Sequence, residues 1–198
     1  MNVRLKKTFG WYSGVVHDGR FLINHYTVQL DLLTITDDPM HQNRAYERMK
    51  FWFDEVMDGC IFVDEKQNNI SQWQETGARV ISFPNEPVDQ IIGIMLCLKL
   101  NAIMEDRLVV TDVEIWSRAG DSMSYLHNWK ENTGPLSQEG WWLDPRPVWN
   151  LNRINTVGKV VNLDRFPEWK SHDLDWDTAE SDSSSTVVFA KFDNDAKK

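Results

Sequence analysis

Between Tyr26 and Leu32 the chain alternates, with Tyr26, Val28, Leu30 and Leu32 on one side and Thr27, Gln29 and Asp31 on the other. A period of two predicts a half-buried strand. Extended segments are expected over roughly residues 3–16 and 20–36. His17-Asp18-Gly19-Arg20 joins them, and Asp-Gly is a favoured hairpin dipeptide. Asp38-Pro39 reads as a helix start, with Asp38 as N-cap and Pro39 at the first helical position. Tyr46, Met49, Phe53, Val56 and Met57 then recur at helical spacing until Gly59.

Two short strand-like runs, "CIFVDE" and "ARVISF", flank the polar loop "KQNNISQWQETG" and predict a small hairpin. Asn85 and Pro87 open a second helix whose stripe is Val88, Ile91, Ile92, Met95, Leu96 and Ile103. "RLVVTDVEIWS" is a strand. Simple alternation puts Leu108, Val110, Asp112, Glu114 and Trp116 on one face, and Val109, Thr111, Val113 and Ile115 on the other. "RAG" turns the chain and "DSMSYLHN" returns as a partner strand. The order ββ, helix, hairpin, helix, ββ predicts an α+β fold. Its four main strands form an antiparallel sheet, and helices near 39–58 and 86–104 pack on one face.

Beyond about residue 128 the periodicity fades and Pro, Gly, Asn and Trp dominate. Seven of the ten tryptophans fall at or after Trp116, so this apolar area must be packed somewhere. We divide the chain into an α+β domain (1–127), a Trp/Pro-rich extension packed on it (128–180), and an acidic, serine-rich linker with a terminal segment (181–198). In the last, "TVVFAKF" reads as a final strand or a docking peptide. There is no internal repeat.

A net charge of −9 argues against a nucleic-acid partner and against an anionic membrane surface. The best apolar run, "IIGIMLCLKL", is interrupted by Lys99 and falls short of a membrane span. No apolar signal core follows the two N-terminal lysines, and Cys60 and Cys97 form no spacing motif. The expectation is a reduced, cytoplasmic protein, in the host cytoplasm if the chain is viral, which its small, acidic, Trp-rich character suits.

The order of elements and motifs over roughly residues 3–127 resembles the tunnelling fold of the 6-pyruvoyl- and 6-carboxytetrahydropterin synthases. In that family one strand carries a zinc-ligand histidine and a His-Gly-His opens the next. Here "GVVHD" supplies His17, while "LINHYTVQLDL" places Ile23 and His25 on the second pair. An Asp-His pair after the first helix is matched by Asp58, with Gly59 where the histidine belongs. The family's Pro-Thr-x-Glu becomes Pro87-Val88-Asp89-Gln90. Its pterin-gripping glutamate matches Glu114, and the turn and tyrosine after it match Ala119-Gly120 and Tyr125. The resemblance implies zinc at His17 and His25, proton transfer at Asp58, a pterin or purine-like ring on Glu114, and a homo-oligomer that joins sheet edges.

Each site has a plainer reading. Catalytic zinc takes three protein ligands, and Ile23 leaves two, so zinc is disfavoured unless His41, Asp18 or a neighbouring subunit supplies the third. A carboxylate in an apolar strand must be paired. Glu114 can accept two ring N–H groups, or it can pair with Arg107 or Arg118, or face solvent beside Asp112. Cys60 shows no activating partner and reads as structural. These readings favour a divergent, non-catalytic protein that binds a flat nitrogen heterocycle at Glu114. The alternatives are an active synthase-type lyase with a rebuilt metal site, and an assembly protein using the fold only for oligomerisation.

Overall fold

A long two-stranded ribbon organises the molecule. β1 (Arg4–His17) and β2 (Arg20–Thr34) pair antiparallel from Arg4 opposite Leu33 to His17 opposite Arg20. The computed structural model describes residues 3–17, 19–66, 73, 75, 78–121, 123–147 and 168–177. Gly19 stands after β1 at φ +69°, a left-handed conformation that glycine adopts without steric cost. Asn24, Tyr26, Val28, Leu30, Leu32 and Thr34 are buried in β2, and the alternate residues from His25 to Leu33 are half-buried.

The chain then enters α1 (Pro39–Phe51). The Asp38 carboxylate accepts the Met40 N–H at 3.0 Å, and Pro39 opens the helix as expected. The helical run predicted to continue to residue 58 changes character at Trp52. A π-helical turn, Trp52–Met57, ends with the Asp58 N–H on the Phe53 carbonyl, and Gly59 at φ +71° breaks it. β3 (Ile61–Asp64) and β4 (Val80–Phe83) follow. They are not a hairpin. β3 runs parallel to β1, and β4 runs parallel to β3. The sheet is therefore mixed.

α2 (Asp89–Met104) starts later than predicted, with Val88 as an exposed N-cap rather than part of the buried stripe. β5 (Leu108–Ser117) and β6 (Ser124–Asn128) complete the α+β sheet in the order β4-β3-β1-β2-β5-β6. Both helices pack into one apolar cluster with the buried residues of β1, β2 and β5.

β5 departs from simple alternation. Leu32 pairs with Val110 and Asp31 with Asp112, so Thr111 is the extra residue of a β-bulge. The bulge inverts the facing of the second half of the strand. Leu108 and Val110 are buried before it, and Val113, Ile115 and Ser117 after it. Beside the bulge, Asn101 of α2 donates to the Val110 carbonyl at 3.1 Å and accepts the Val110 N–H at 2.7 Å. Asn101→Leu keeps the branched shape but leaves the Val110 N–H without its acceptor and the Val110 carbonyl with only the weak Cys97 S–H donor at 4.0 Å. It should cost about 2 kcal/mol in a urea titration with an unchanged slope.

Residues 129–147 and 168–177 form a third layer. Its 3₁₀ turns at Gly134–Leu136, Trp141–Leu143 and Trp169–His172 carry Leu136, Trp142 and Trp169 into the same cluster as the helices. This explains why α2 is buried on more than one side. Trp141 also donates its indole N–H to the Ser82 carbonyl of β4 at 3.1 Å. Residues 178–198, including "TVVFAKF", and Asp18 lie outside the described residues. Among the described residues no helix is long and apolar enough to cross a membrane.

Candidate functional site

The sheet face opposite the helices carries the chemistry, and the strand registers set its rows. Lys6, Asp31, Asp112 and Asn128 form one row. The Lys6 ammonium lies 3.3 Å from Asp31, and the Asn128 amide donates to Asp112 at 2.7 Å. Those contacts offset the like charges of two directly opposed aspartates. The next row is Thr8, Gln29, Glu114 and Leu126; the one after is Gly10, Thr27, Trp116 and Ser124. Beyond it Tyr12 faces His25, their rings 4.6 Å apart.

Tyr12, His25, Thr27, Trp116, Ser117 and Arg118 line a concavity of about 320 Å³ on this face. The backbone behind its walls is held by hydrogen bonds. The Arg118 N–H donates to the His25 carbonyl at 2.9 Å. The Tyr12 N–H donates to Asp58 Oδ1 at 3.0 Å, and the Tyr12 carbonyl accepts the Gly59 N–H at 2.7 Å. The end of the π-helical turn therefore completes the edge of β1 where no strand pairs with it. The Arg79 guanidinium in turn donates to the Glu55 and Asp58 carbonyls.

Several residues singled out in the sequence do not come together. His17 and His25 stand on opposite faces of the sheet, five register positions apart, or about 17 Å of strand. His17 Nδ1 instead lies 2.6 Å from Glu86. Ile23 is exposed on the His25 face, opposite Gly14. His41 Nδ1 lies 3.1 Å from Asp38 at the start of α1. Among the described residues no group of three or more His, Cys, Asp or Glu side chains could hold a metal ion. Asp58 serves the Tyr12 backbone. Cys60 is buried, 3.4 Å from the Ser13 hydroxyl, and burial pushes its thiol up to about 12.

Glu114 is half-buried between Gln29 and Leu126. The bulge separates it from Leu108 and Val110, so the expectation that it shares their face is corrected; it keeps Trp116 and Asp112. Glu114 stands two residues from Trp116 on the same face, about 7 Å along the strand, and is not a lining residue. Arg107 lies against Glu105 and stacks over Trp176, so it is not the partner of Glu114.

Sequence reasoning missed two buried cations. Lys99 of α2 is fully buried and donates to the carbonyls of Trp141 (3.5 Å), Asp144 (2.5 Å) and Arg146 (3.0 Å). Arg48 of α1 donates to the carbonyls of Leu174 (2.7 Å) and Ile103 (3.2 Å) and to Glu105 (2.8 Å), under the Trp176 ring at 3.6 Å. Each helix thus grips one part of the Trp-rich layer through a cation.

No family model and no curated protein matches the sequence. Among solved structures, the chain is similar to an uncharacterized protein from Wolinella succinogenes. The identity is 14%, the match covers 65% of this chain and 98% of that one, and the TM-score is 0.47.

Proposed function

We propose that this chain is a non-catalytic tunnelling-fold protein that holds a flat nitrogen heterocycle, pterin- or purine-like, on the open sheet face. The observation that carries this reading is the concavity walled by Tyr12, His25 and Trp116, with the Glu114 carboxylate one pleat away on the same face. Aromatic side chains offer a planar ring a stacking surface. A carboxylate accepts two adjacent N–H groups at a guanidine-like ring edge. The reading treats Asp58 as a support for Tyr12 rather than a proton carrier, because its carboxylate is engaged by a backbone N–H. It also keeps self-association through the outer edge of β6, the backbone of an edge strand being open to pairing.

Calorimetry with pterins and purines tests the proposal. Glu114→Gln places an NH₂ against one ring N–H and should weaken binding by on the order of 1–3 kcal/mol. The melting temperature should hardly move, because side-chain volume is conserved. If neither class binds the parent protein, or if Glu114→Gln binds as well as the parent, the heterocycle reading falls. The assembly-protein reading then takes its place. Turnover of a pterin precursor by the purified protein would instead favour the lyase.

A further inference from the structure

Two glycines of β1 face the open side of the sheet, and packing accounts for only one of them. A Cβ on Gly14 would lie 2.3 Å from the Phe21 ring, so glycine there leaves room for that ring, which would otherwise have to shift. A Cβ on Gly10 would meet nothing closer than His25 Nε2 at 3.5 Å, an ordinary contact. Glycine inside a strand loses more conformational entropy on folding and packs nothing. The fold alone gives no reason for it at position 10.

His25 supplies the reason. Its imidazole leans from β2 toward β1 and rests over Gly10, on the side away from β5. Trp116 stands on β5, across β2 from Gly10 and opposite Thr27. With the imidazole drawn to the β1 side, the space over Thr27 between His25 and Trp116 is left open, and that space is the concavity. We infer that Gly10 is a specificity-determining residue, the berth that parks the His25 ring and keeps the slot beside Trp116 open. This inference rests on the heterocycle reading of the same site. A methyl group at position 10 fits beneath the imidazole. A β-branched side chain occupies the berth and turns the imidazole toward Trp116, filling the slot.

The test compares the parent with Gly10→Ala and Gly10→Val, using pterin and guanine as probes. Calorimetry gives affinity, thermal melting gives the fold, and proton NMR gives the ring position through contacts from His25 Hε1 to residue 10 Hα or to the Trp116 indole. Gly10→Ala should bind like the parent. Gly10→Val should melt no lower, because valine suits a strand. It should lose affinity by on the order of 10- to 100-fold, the scale of overpacking a filled site. Its His25 contact should move from residue 10 to Trp116. Unchanged affinity in Gly10→Val, or lost affinity with the imidazole still over residue 10, overturns the inference. If no probe binds the parent, the heterocycle reading falls. The NMR contact then decides the berth alone: His25 must leave residue 10 in Gly10→Val, and an imidazole that stays there overturns it.

Discussion

Arg48→Ala is expected to destabilise the protein by about 3 kcal/mol, the scale of leaving buried carbonyls without their donor, while the part-exposed Glu105 regains water. The Arg48 guanidinium is 1% exposed. Its removal orphans the Leu174 and Ile103 carbonyls and strips Glu105 of a charge-assisted bond. The Trp176 and Trp169 rings also lose the cation beneath them, at 3.6 and 4.7 Å. Burial pulls the guanidinium down to about 10 against the opposing pull of Glu105, so the cation is held at a solvation cost that its partners offset. Hydrogen exchange should show the largest loss of protection at residues 168–177, which Arg48 ties to α1. Loss confined to the sheet would contradict this account.

Lys99→Met is expected to cost about 3 kcal/mol, since methionine fills the space but leaves three carbonyls without a donor. The loss should depend on pH. Desolvation pushes the Lys99 ammonium from 10.5 down to about 7, with Asp144 opposing and Arg146 reinforcing the shift. Between these values the unfolded chain keeps the proton and the folded chain has released it. Folding stability therefore rises with pH across that window and is flat below it, where both states are protonated. The slope for one proton is about 1.4 kcal/mol per pH unit. Urea midpoints of the parent and Lys99→Met from pH 6 to 9 should diverge above pH 7, with the parent gaining. Parallel curves would show that Lys99 titrates alike in both states.

What was legible in the sequence was what local spacing encodes. The β1–β2 ribbon announced itself by alternation, and α1 by Asp38 and Pro39. The direction of β4 was not legible from its own residues. The length of segment 65–79 carried the signal, because a tight hairpin needs only a few residues and a parallel return needs a dozen or more. The bulge left a trace as well: Val110 and Val113 are both buried, and a spacing of three cannot fit one face of a regular strand. Lys99 looked like a break in an apolar run because its acceptors lie more than 40 residues later in the chain. The concavity was half legible. Trp116 and His25 were visible, but Tyr12 is placed by Asp58 and Gly59 across the β1 edge, a contact no spacing reveals.

The extra residue at Thr111 makes β5 two strands spliced out of phase. β2 pairs with β5 on both sides of it. Before it Leu108 and Val110 face the helices, with Asn101 holding Val110; after it Val113 and Ile115 face them, and Asp112, Glu114 and Trp116 face the open side. Removing that single residue would exchange inside and outside for the second half of the strand, sending Asp112, Glu114 and Trp116 toward the helices and Val113 and Ile115 into water. The splice is thus the point at which β5 resets its parity: even-numbered residues serve cohesion up to Val110, and even-numbered residues from Asp112 onward are released to the open face while Val113 and Ile115 take over the core.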